Sequence, residues 1–470
     1  MGRIRFRFDF SLVRENNLSG GEGISSADFR RAMEQVDCAA AALEVKRLKG
    51  EIGFPDLPFR DKEAQAIARD AMAFAKKFSH VLVLGIGGSA LGARAVYEAV
   101  GAAAARGGLE LSVADNVDPD VFFPLLASLP LKKTVVVAIS KSGGTAETNA
   151  QLSVVIAALK KASGKRWKEQ LILVTDPAKG IFRRMAQKEG LKSHEIPPNV
   201  GGRFSVFTPA GLLPLAAAGV RIGALLDGAA QMETIYRNTK GADNPVRYAA
   251  AVYVHYLRRA PKPVQVWFTY GAGLDRVAEW WQQLWGESLG KKRRRGNPVG
   301  QTPARALGVT DQHSQVQLYQ DGPADKVFTF VRWMKGREKG IMPKAELAPE
   351  MAMFGGRPLR DLFDAEFEGT VGALWAANRP IVRMDIGERD EEHVGAFLHF
   401  WEWVTAIVGE CAGVDPFDQP GVEEGKNIAR ALMGEKGSEK QRAQFKRRIA
   451  GIKKAQVLIG EDRPTKKGKK

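Results

Sequence analysis

Two glycine-rich stretches have the composition of anion-binding loops, and the first lies at residues 85–92. Its sequence, GIGGSALG, follows a short apolar run and precedes an alanine-rich stretch. Closely spaced glycines let backbone N–H groups approach a phosphate, and the N-terminus of a following helix favours negative charge. The spacing also satisfies a loose dinucleotide fingerprint, with Asp115 as the ribose-binding acid. A tight turn without a ligand is the structural alternative.

The second stretch, SKSGGTAET at residues 140–148, favours a small sugar phosphate over a dinucleotide. Three hydroxyl groups and an ammonium group before a predicted helix make a phosphate cradle, and a dinucleotide enzyme does not need this second anion site. The alternative is a helix whose first N–H groups are capped by Thr145 or Ser142. Because parallel strands end at one edge of a sheet, both loops would share the ligand. The predicted phosphate-binding residues are Ser140, Lys141, Ser142 and Thr145, with Gly88 and Ser89 on the first loop.

A carboxylate and an arginine, Glu287 and Arg203, are further candidate functional residues. Glu287 lies in an apolar, tryptophan-rich stretch, so it is either a solvated helix residue or a partly desolvated base. Gln283 precedes it by four residues and shares its helix face. Arg203 follows two glycines, which allow close backbone approach. Taken singly, Arg203 could be a plain surface arginine.

Six motifs taken together resemble those of the glucose-6-phosphate isomerase family. The two glycine-rich loops look like the signatures of sugar isomerase domains, and four later motifs narrow the match. These later motifs are GGRFS at 201–205, QLWGESLGK at 283–291, DQHSQ at 311–315 and DQPGVEEGK at 418–426. The six occur in the family's order over about residues 80–435, and the chain is similar to the family's compact bacterial branch.

The resemblance implies an aldose–ketose isomerase that interconverts D-glucose 6-phosphate and D-fructose 6-phosphate through an enediolate, without a cofactor. It implies that Glu287 is the base that carries the proton between C2 and C1. It also implies that Arg203 stabilises the enediolate and that Gln283 contacts the substrate.

The substrate arrives mainly as a closed ring, so an acid and base pair must open it first. Taken singly, His313 is a structural or surface histidine, and Lys426 forms a helix-surface ion pair with a neighbouring glutamate. The resemblance assigns both residues to ring opening and Gln419 to a further contact with the sugar or phosphate. In this family the histidine comes from the neighbouring subunit, so a homodimer with a shared active site is implied.

Apolar runs that alternate with helical patterns would position these residues. Strands are predicted at 81–84, 111–114, 134–139 and 171–175, and again at 264–269, 327–333 and 381–384. Helices are predicted at 89–105, 147–162, 274–289, 363–378, 393–411 and 421–433. The pattern predicts an α/β fold of two doubly wound, mainly parallel-sheet sugar isomerase domains, each an α-β-α sandwich, with a helical C-terminal segment.

The predicted boundaries divide the chain into four parts. Residues 1–70 form an N-terminal extension, in which residues 3–10 alternate like a strand. The first and second sugar isomerase domains occupy 71–225 and 226–415. Residues 416–470 form the helical segment and a basic tail.

The composition is that of an ordinary globular protein, with 470 residues, 44% apolar and 26% charged. The formal charge is +17, but residues 436–470 contain 13 basic and 3 acidic residues, and residues 291–295 are all basic. The end of this tail, residues 464–470, has no aromatic side chain to stack on bases, so nucleic-acid binding is not expected. We expect a solvated tail and a solvated loop at 291–295. The alternative is that this loop tunes phosphate affinity.

Neither a membrane span nor a metal site is expected from the sequence. The longest uncharged run, 204–220, contains two prolines, and residues 3–10 lack the apolar core of a signal peptide. Two cysteines fit a reducing, cytoplasmic setting. The remaining histidines lack metal-ligand spacing. A sugar-phosphate sensor and a nicotinamide-dependent dehydrogenase are the other functional classes considered.

Overall fold

The structure is a computed structural model, and it describes residues 4–101, 107–258, 260, 262–293, 296–336, 340–344 and 348–453. The contacts divide the chain into two compact units, Met1–Asp418 and Gln419–Lys470, and each is described by itself. The end of the helix predicted at 89–105, two residues of the 291–295 run and residues 454–470 of the basic tail lie outside the described residues.

The strands of the first unit form two sheets within the described residues. Their bounds are β1 (Phe6–Asp9), β2 (His80–Leu84), β3 (Glu110–Ala114), β4 (Thr134–Ile139), β5 (Leu171–Thr175), β6 (Lys192–Glu195), β7 (Val264–Tyr270), β8 (Thr302–Leu307), β9 (Lys326–Trp333) and β10 (Ile381–Ile386). The first sheet has the order β3-β2-β4-β5-β6 and is parallel throughout. The second has the order β1-β10-β9-β7-β8, in which only β1 is antiparallel. The prediction of two mainly parallel sheets is confirmed.

Helices connect and cover these strands. In the first unit they are α1 (Ser26–Leu48), α2 (Asp61–Ala75), α3 (Leu91–Val100), α4 (Pro119–Ser128), α5 (Ala146–Ser163), α6 (Ile181–Glu189), α7 (Pro209–Ala217), α8 (Ile222–Asn238), α9 (Pro245–Arg258), α10 (Leu274–Leu289), α11 (Val316–Asp321), α12 (Leu359–Ala376) and α13 (Glu391–Ala412). Ser25, Asp118, Thr208 and Asp390 cap the N-termini of α1, α4, α7 and α13, each accepting a hydrogen bond from a backbone N–H.

The first sheet is apolar on both faces because successive side chains of a strand point in opposite directions. In β2, Val81 and Val83 face the largest core, whereas Leu82 and Leu84 face a second core formed with α4, α5 and α6. This two-sided burial explains the continuous apolar runs in the sequence. It also leaves the loops after β2 and β4 at one edge of the sheet.

The second sheet shares the largest core with the first. Trp267 and Val327 face it together with side chains of α8, α9, α10 and α13. Phe268 and Phe330 face the opposite side, where they pack against α12. Helix α10, which carries the predicted base, is therefore held between packed layers.

The predicted domain boundaries at residues 70, 225 and 415 remain a prediction. Strands β2–β6 fall inside 71–225 and β7–β10 inside 226–415. Strand β1 comes from the N-terminal extension but pairs with β10. All of these elements belong to the unit Met1–Asp418.

The second unit contains two helices among its described residues. A 3-10 turn at Pro420–Val422 leads into α14 (Glu423–Leu432), and α15 (Glu439–Ala450) follows. Two acidic residues in the first turn of α14 and Arg430 in its last turn suit the helix dipole. In neither unit does the described chain contain a helix long and apolar enough to span a membrane.

Candidate active site

The first glycine-rich loop connects β2 to α3 and packs closely against two other parts of the chain. Gly87 lies in a 3-10 turn with a φ of +57°, a backbone conformation that favours glycine. A Cβ atom at Gly87 would lie 2.7 Å from Nε2 of Gln283, and one at Gly88 would lie 2.2 Å from the carbonyl carbon of Gly202. Glycine at these two positions therefore lets α10 and the segment before Arg203 reach the loop.

The second loop runs from the end of β4 to the start of α5. Oγ of Ser140 and Oγ1 of Thr145 lie 3.0 Å apart, and Oγ of the exposed Ser142 accepts a hydrogen bond from the N–H of Gly144. Thr145 is the N-cap residue of α5, yet within the described structure its side chain accepts no hydrogen bond from the helix. The alternative interpretation of this loop was a helix capped by Ser142 or Thr145, and neither of these two hydroxyl groups caps α5 in the described structure.

Lys141 lies between these hydroxyls and turns toward residues 198–200. Its Nζ donates hydrogen bonds to the carbonyl oxygens of Pro198, at 2.7 Å, and Val200, at 2.8 Å. Burial lowers the pKa of the Lys141 ammonium, and the nearby Asp176 carboxylate opposes this effect. Two of the three N–H donors of Lys141 therefore bind backbone carbonyls.

Glu287 lies near the C-terminus of α10, a helix that contains three buried tryptophans. Trp281 and Trp285 are fully buried, and Trp281 stacks on Trp267 at a ring distance of 4.5 Å. The Glu287 side chain is 29% exposed, and its Oε1 accepts a hydrogen bond from Nε2 of Gln283 at 3.1 Å. Oε1 of Gln283 is buried without a hydrogen-bond partner among the described residues. The aromatic packing fixes the helix, and the amide orients the carboxylate.

Arg203 lies in a 3-10 turn (Gly202–Phe204), and its side chain is 1% exposed. Its Nε donates to Oγ of Ser288 at 2.7 Å, and its Nη1 donates to Oε2 of Glu287 at 3.3 Å. Its Nη2 donates to the carbonyl oxygens of Pro416 and, at 2.8 Å, Asp418. Burial lowers the pKa of Arg203, and Glu287 opposes this effect. The guanidinium is thus fixed beside the carboxylate rather than lying on the surface.

Lys291 and Ser288 were not predicted as site residues, although Ser288 contacts Arg203 and Lys291 contacts Asp418. The Lys291 side chain is only 8% exposed, because its Nζ pairs with Oδ1 of Asp418 at 2.6 Å. The expectation of a solvated loop at 291–295 is therefore wrong for Lys291, although Lys292 is exposed. The residues next to Lys291 in the sequence do not indicate that this one lysine of the basic run is buried. Ser288 directly follows Glu287 and accepts a hydrogen bond from Arg203, the arginine that pairs with Glu287.

His313 lies at the end of a 3-10 turn (Thr310–His313) and is exposed. Its imidazole has no hydrogen-bond partner among the described residues. The surrounding motif is anchored, because Asp311 accepts hydrogen bonds from the N–H of Leu307 and from Oγ of Ser314, both at 2.7 Å.

Gln419 and Lys426 belong to the second unit. Nζ of Lys426 forms an ion pair with Oε1 of Glu423 at 3.1 Å, and both side chains are about half exposed. This pair is the surface interaction that was the alternative interpretation of Lys426. The roles of both residues in catalysis remain predictions.

Asp115, the acid of the loose dinucleotide fingerprint, is already paired. Its Oδ2 lies 3.0 Å from Nη2 of Arg94, which also lies 3.1 Å from Oε1 of Glu279. A ribose-binding carboxylate would have to leave this pair. Among the described residues, no cluster of His, Cys, Asp and Glu has the arrangement of a metal site.

The fold brings the first loop, Gln283, Glu287 and Arg203 together in one site. The part of the chain that forms this site is similar to known proteins. The family model for phosphoglucose isomerase matches residues 70–452, which is most of the chain. This chain belongs to the phosphoglucose isomerase family. The match contains all six of the motifs that carried the resemblance.

Relatives in this family are similar over nearly their whole length. The glucose-6-phosphate isomerase of Carboxydothermus hydrogenoformans is 43% identical over 451 residues, which cover 93% of this chain and 97% of the relative. The glucose-6-phosphate isomerase of Rubrobacter xylanophilus is 38% identical over 451 residues, which cover 93% of this chain and 99% of the relative.

Solved structures show the same fold. A hypothetical protein from Thermus thermophilus has a TM-score of 0.84 at 35% identity, and the match covers 92% of this chain and 100% of that one. A glucose-6-phosphate isomerase from Chlamydia trachomatis has a TM-score of 0.68 at 23% identity, covering 83% of this chain and 77% of that one. At this lower identity the likeness concerns the fold alone.

Proposed function

We propose that the protein is an aldose–ketose isomerase that interconverts D-glucose 6-phosphate and D-fructose 6-phosphate, in glycolysis and gluconeogenesis. The observation that carries this proposal is the Glu287 carboxylate, which is held between the amide of Gln283 and the guanidinium of Arg203 beside a glycine-rich loop. Relatives in the phosphoglucose isomerase family that bear the name glucose-6-phosphate isomerase support it.

Proton transfer is assigned to Glu287. Its carboxylate takes the proton from C2 of the open-chain aldose, the carbonyl oxygen at C1 gains negative charge, and an enediolate forms. Glu287 returns a proton to C1 while the hydroxyl proton on O2 moves to O1, which gives the ketose, so one carboxylate serves both carbon steps. Arg203 stabilises the enediolate, because its buried guanidinium is already fixed beside the base and needs little reorganisation. Gln283 presents a buried amide oxygen that suits a substrate hydroxyl.

Ring opening is assigned to His313 and Lys426, and Gln419 is a further contact to the sugar or phosphate. An imidazole and an ammonium can exchange a proton with the ring oxygen and the anomeric hydroxyl. The exposed position of His313 fits a residue that acts on a substrate outside its own subunit. We therefore propose a homodimer in which each active site receives His313 from the partner.

The phosphate is assigned to the loop after β4, with Gly88 and Ser89 on the neighbouring loop. Ser140, Ser142 and Thr145 supply hydroxyl donors, and the start of α5 favours a dianion. The third N–H donor of Lys141 would complete the cradle, since the other two bind the carbonyls of residues 198 and 200. We propose a cytoplasmic location, which two free cysteines support.

Replacing Thr145 by Val tests the phosphate cradle. We expect KM for fructose 6-phosphate to rise about tenfold, because a hydrogen bond to a charged group contributes about 1.5 kcal/mol or more, while kcat changes little. Steady-state kinetics of the purified variant measures both constants. Thr148→Val is the matched control, since the buried Thr148 lies one turn further along α5. An unchanged KM in Thr145→Val would remove Thr145 from the cradle.

Mixing two inactive variants tests the shared site. Glu287→Gln and His313→Gln are unfolded together and refolded, so that half of the dimers contain one chain of each kind. In such a dimer one site has both mutations and the other has none, so about a quarter of wild-type activity should return. Activity that stays at the level of the separate variants would contradict the shared site.

A coupled assay tests the proposed function directly. Purified protein is given fructose 6-phosphate, and glucose 6-phosphate is detected with an auxiliary dehydrogenase. We expect glucose 6-phosphate to form also when the isomerisation is run first without a nicotinamide cofactor and the auxiliary dehydrogenase is added with its cofactor afterwards. The same assay with mannose 6-phosphate shows whether the pocket around C2 also accepts this epimer. Binding of sugar phosphate without turnover would favour a sensor, and binding of a nicotinamide dinucleotide alone would favour a dehydrogenase.

A further inference from the structure

A buried lysine near the proposed base has all of its donors engaged by one short segment of chain. Nζ of Lys291 donates hydrogen bonds to the carbonyl oxygens of Asp415 and, at 2.7 Å, Asp418, and to Oδ1 of Asp418 at 2.6 Å. An ammonium has three N–H donors, so these three acceptors satisfy it. The backbone of Lys291 is also fixed, because it exchanges two 2.9 Å hydrogen bonds with Val299.

The same segment supplies acceptors to Arg203. Nη2 of Arg203 donates to the carbonyl oxygens of Pro416 and Asp418, so the Asp418 carbonyl accepts from both Arg203 and Lys291. The segment 415–418 therefore lies between two cations and binds each through its backbone. Movement of this segment would change the position of the guanidinium that contacts Glu287.

Burial of a lysine is unfavourable unless its charge and donors are satisfied. Burial lowers the pKa of Lys291, and the hydrogen bond with Asp418 opposes this effect. The next residue, Lys292, lies on the surface, so a basic residue at this turn does not have to be buried. The buried position of Lys291 thus has a specific local cause, which is the segment 415–418.

We propose that Lys291 is a positioning residue for the isomerase reaction, which holds segment 415–418 so that its carbonyl groups fix Arg203 against Glu287. The inference rests on the proposed function. Lys291 acts through Arg203 and does not touch the substrate. A guanidinium that is displaced by about 1 Å loses much of its effect on the transition state, since such misplacement can cost about a hundredfold in rate.

Three variants test this inference by steady-state kinetics with fructose 6-phosphate. Lys291→Met removes all three donors, Lys291→Gln keeps two donors without the charge, and Lys292→Met is the matched control. We expect kcat to fall about 10- to 100-fold in Lys291→Met and by less in Lys291→Gln, with KM within about threefold of wild type in both. Lys292→Met should match wild type. Thermal melting confirms that each variant is folded.

Hydrogen exchange of the backbone amides of Phe417 and Asp418 gives a readout that does not depend on activity. We expect faster exchange in Lys291→Met than in wild type or Lys292→Met. A folded Lys291→Met with wild-type kcat, a loss confined to KM, or unchanged exchange at these amides would overturn the inference. Lack of isomerase activity in the wild type would instead overturn the proposed function, so the two failures are distinguishable.

Discussion

Glu287→Gln is expected to lower kcat by at least about 100-fold, and by up to about 10⁴-fold, while the substrate still binds. The amide cannot accept the C2 proton, yet it has nearly the same size and can still pair with Gln283. The phosphate loop and α10 should therefore be undisturbed. Stopped assays with fructose 6-phosphate measure the turnover, and calorimetric titration measures substrate binding.

Glu279→Gln is the matched control for this variant. Glu279 lies two turns earlier on α10, has a similar exposure of 23%, and pairs with Arg94 and Arg276 outside the proposed site. We expect its kcat to stay near that of wild type. A Glu287→Gln enzyme with near-normal turnover, or an equal loss in Glu279→Gln, would remove Glu287 from the role of base.

Arg203→Lys is expected to lower kcat by about 100- to 1,000-fold, the usual effect of losing a fixed donor to a developing oxyanion. Lysine keeps the charge but lacks the planar fork that reaches Ser288, Glu287 and the segment 415–418 together. Arg203→Met should lose at least as much activity. It should also lose about 3 kcal/mol in the free energy of unfolding, because the buried acceptors of Arg203 remain without a donor.

Urea unfolding and the coupled assay separate the two effects of Arg203. We expect Arg203→Lys to lose less stability than Arg203→Met while still losing most of its turnover. Arg276→Met is the control, since Arg276 is an arginine on the surface of α10 with 36% of its side chain exposed. Turnover of Arg203→Lys within about tenfold of wild type would contradict the role in the transition state.

Much of the fold was predictable because its strands are buried on both faces. The run at Thr134–Ile139 is apolar and β-branched, and every one of its residues is buried. Two strands were missed for physical reasons. Strand β6 (Lys192–Glu195) is a polar strand at the edge of its sheet, and β8 (Thr302–Leu307) is an edge strand that contains Pro303, where a missing N–H is tolerated.

Local parts of the candidate site were also predictable. Gln283 and Glu287 are four residues apart on a helix, so their contact follows from helix geometry. The two glycines before Arg203 predicted close approach of the backbone there, and Gly202 lies against Gly88 of the first loop.

The remaining contacts depend on tertiary structure and have no local pattern. Arg203 meets Glu287 across 84 residues of sequence, and Lys291 meets Asp418 across 127. Within a basic run, Lys291 looks like a solvated residue, and its contacts with segment 415–418 are tertiary contacts that the run does not reveal. The roles of His313, Gln419 and Lys426 came from family resemblance and remain predictions.

Isomerisation of fructose 6-phosphate in deuterium oxide tests the central claim, which is proton transfer by Glu287, most directly. Because the Glu287 side chain is 29% exposed, the proton it carries can exchange with solvent before it returns to carbon. We predict that glucose 6-phosphate formed by the wild-type enzyme carries deuterium at C2, seen as loss of the C2 proton signal by nuclear magnetic resonance. Product that forms at the normal rate but still contains no deuterium at C2 after prolonged incubation, over many reversible turnovers, would contradict this account.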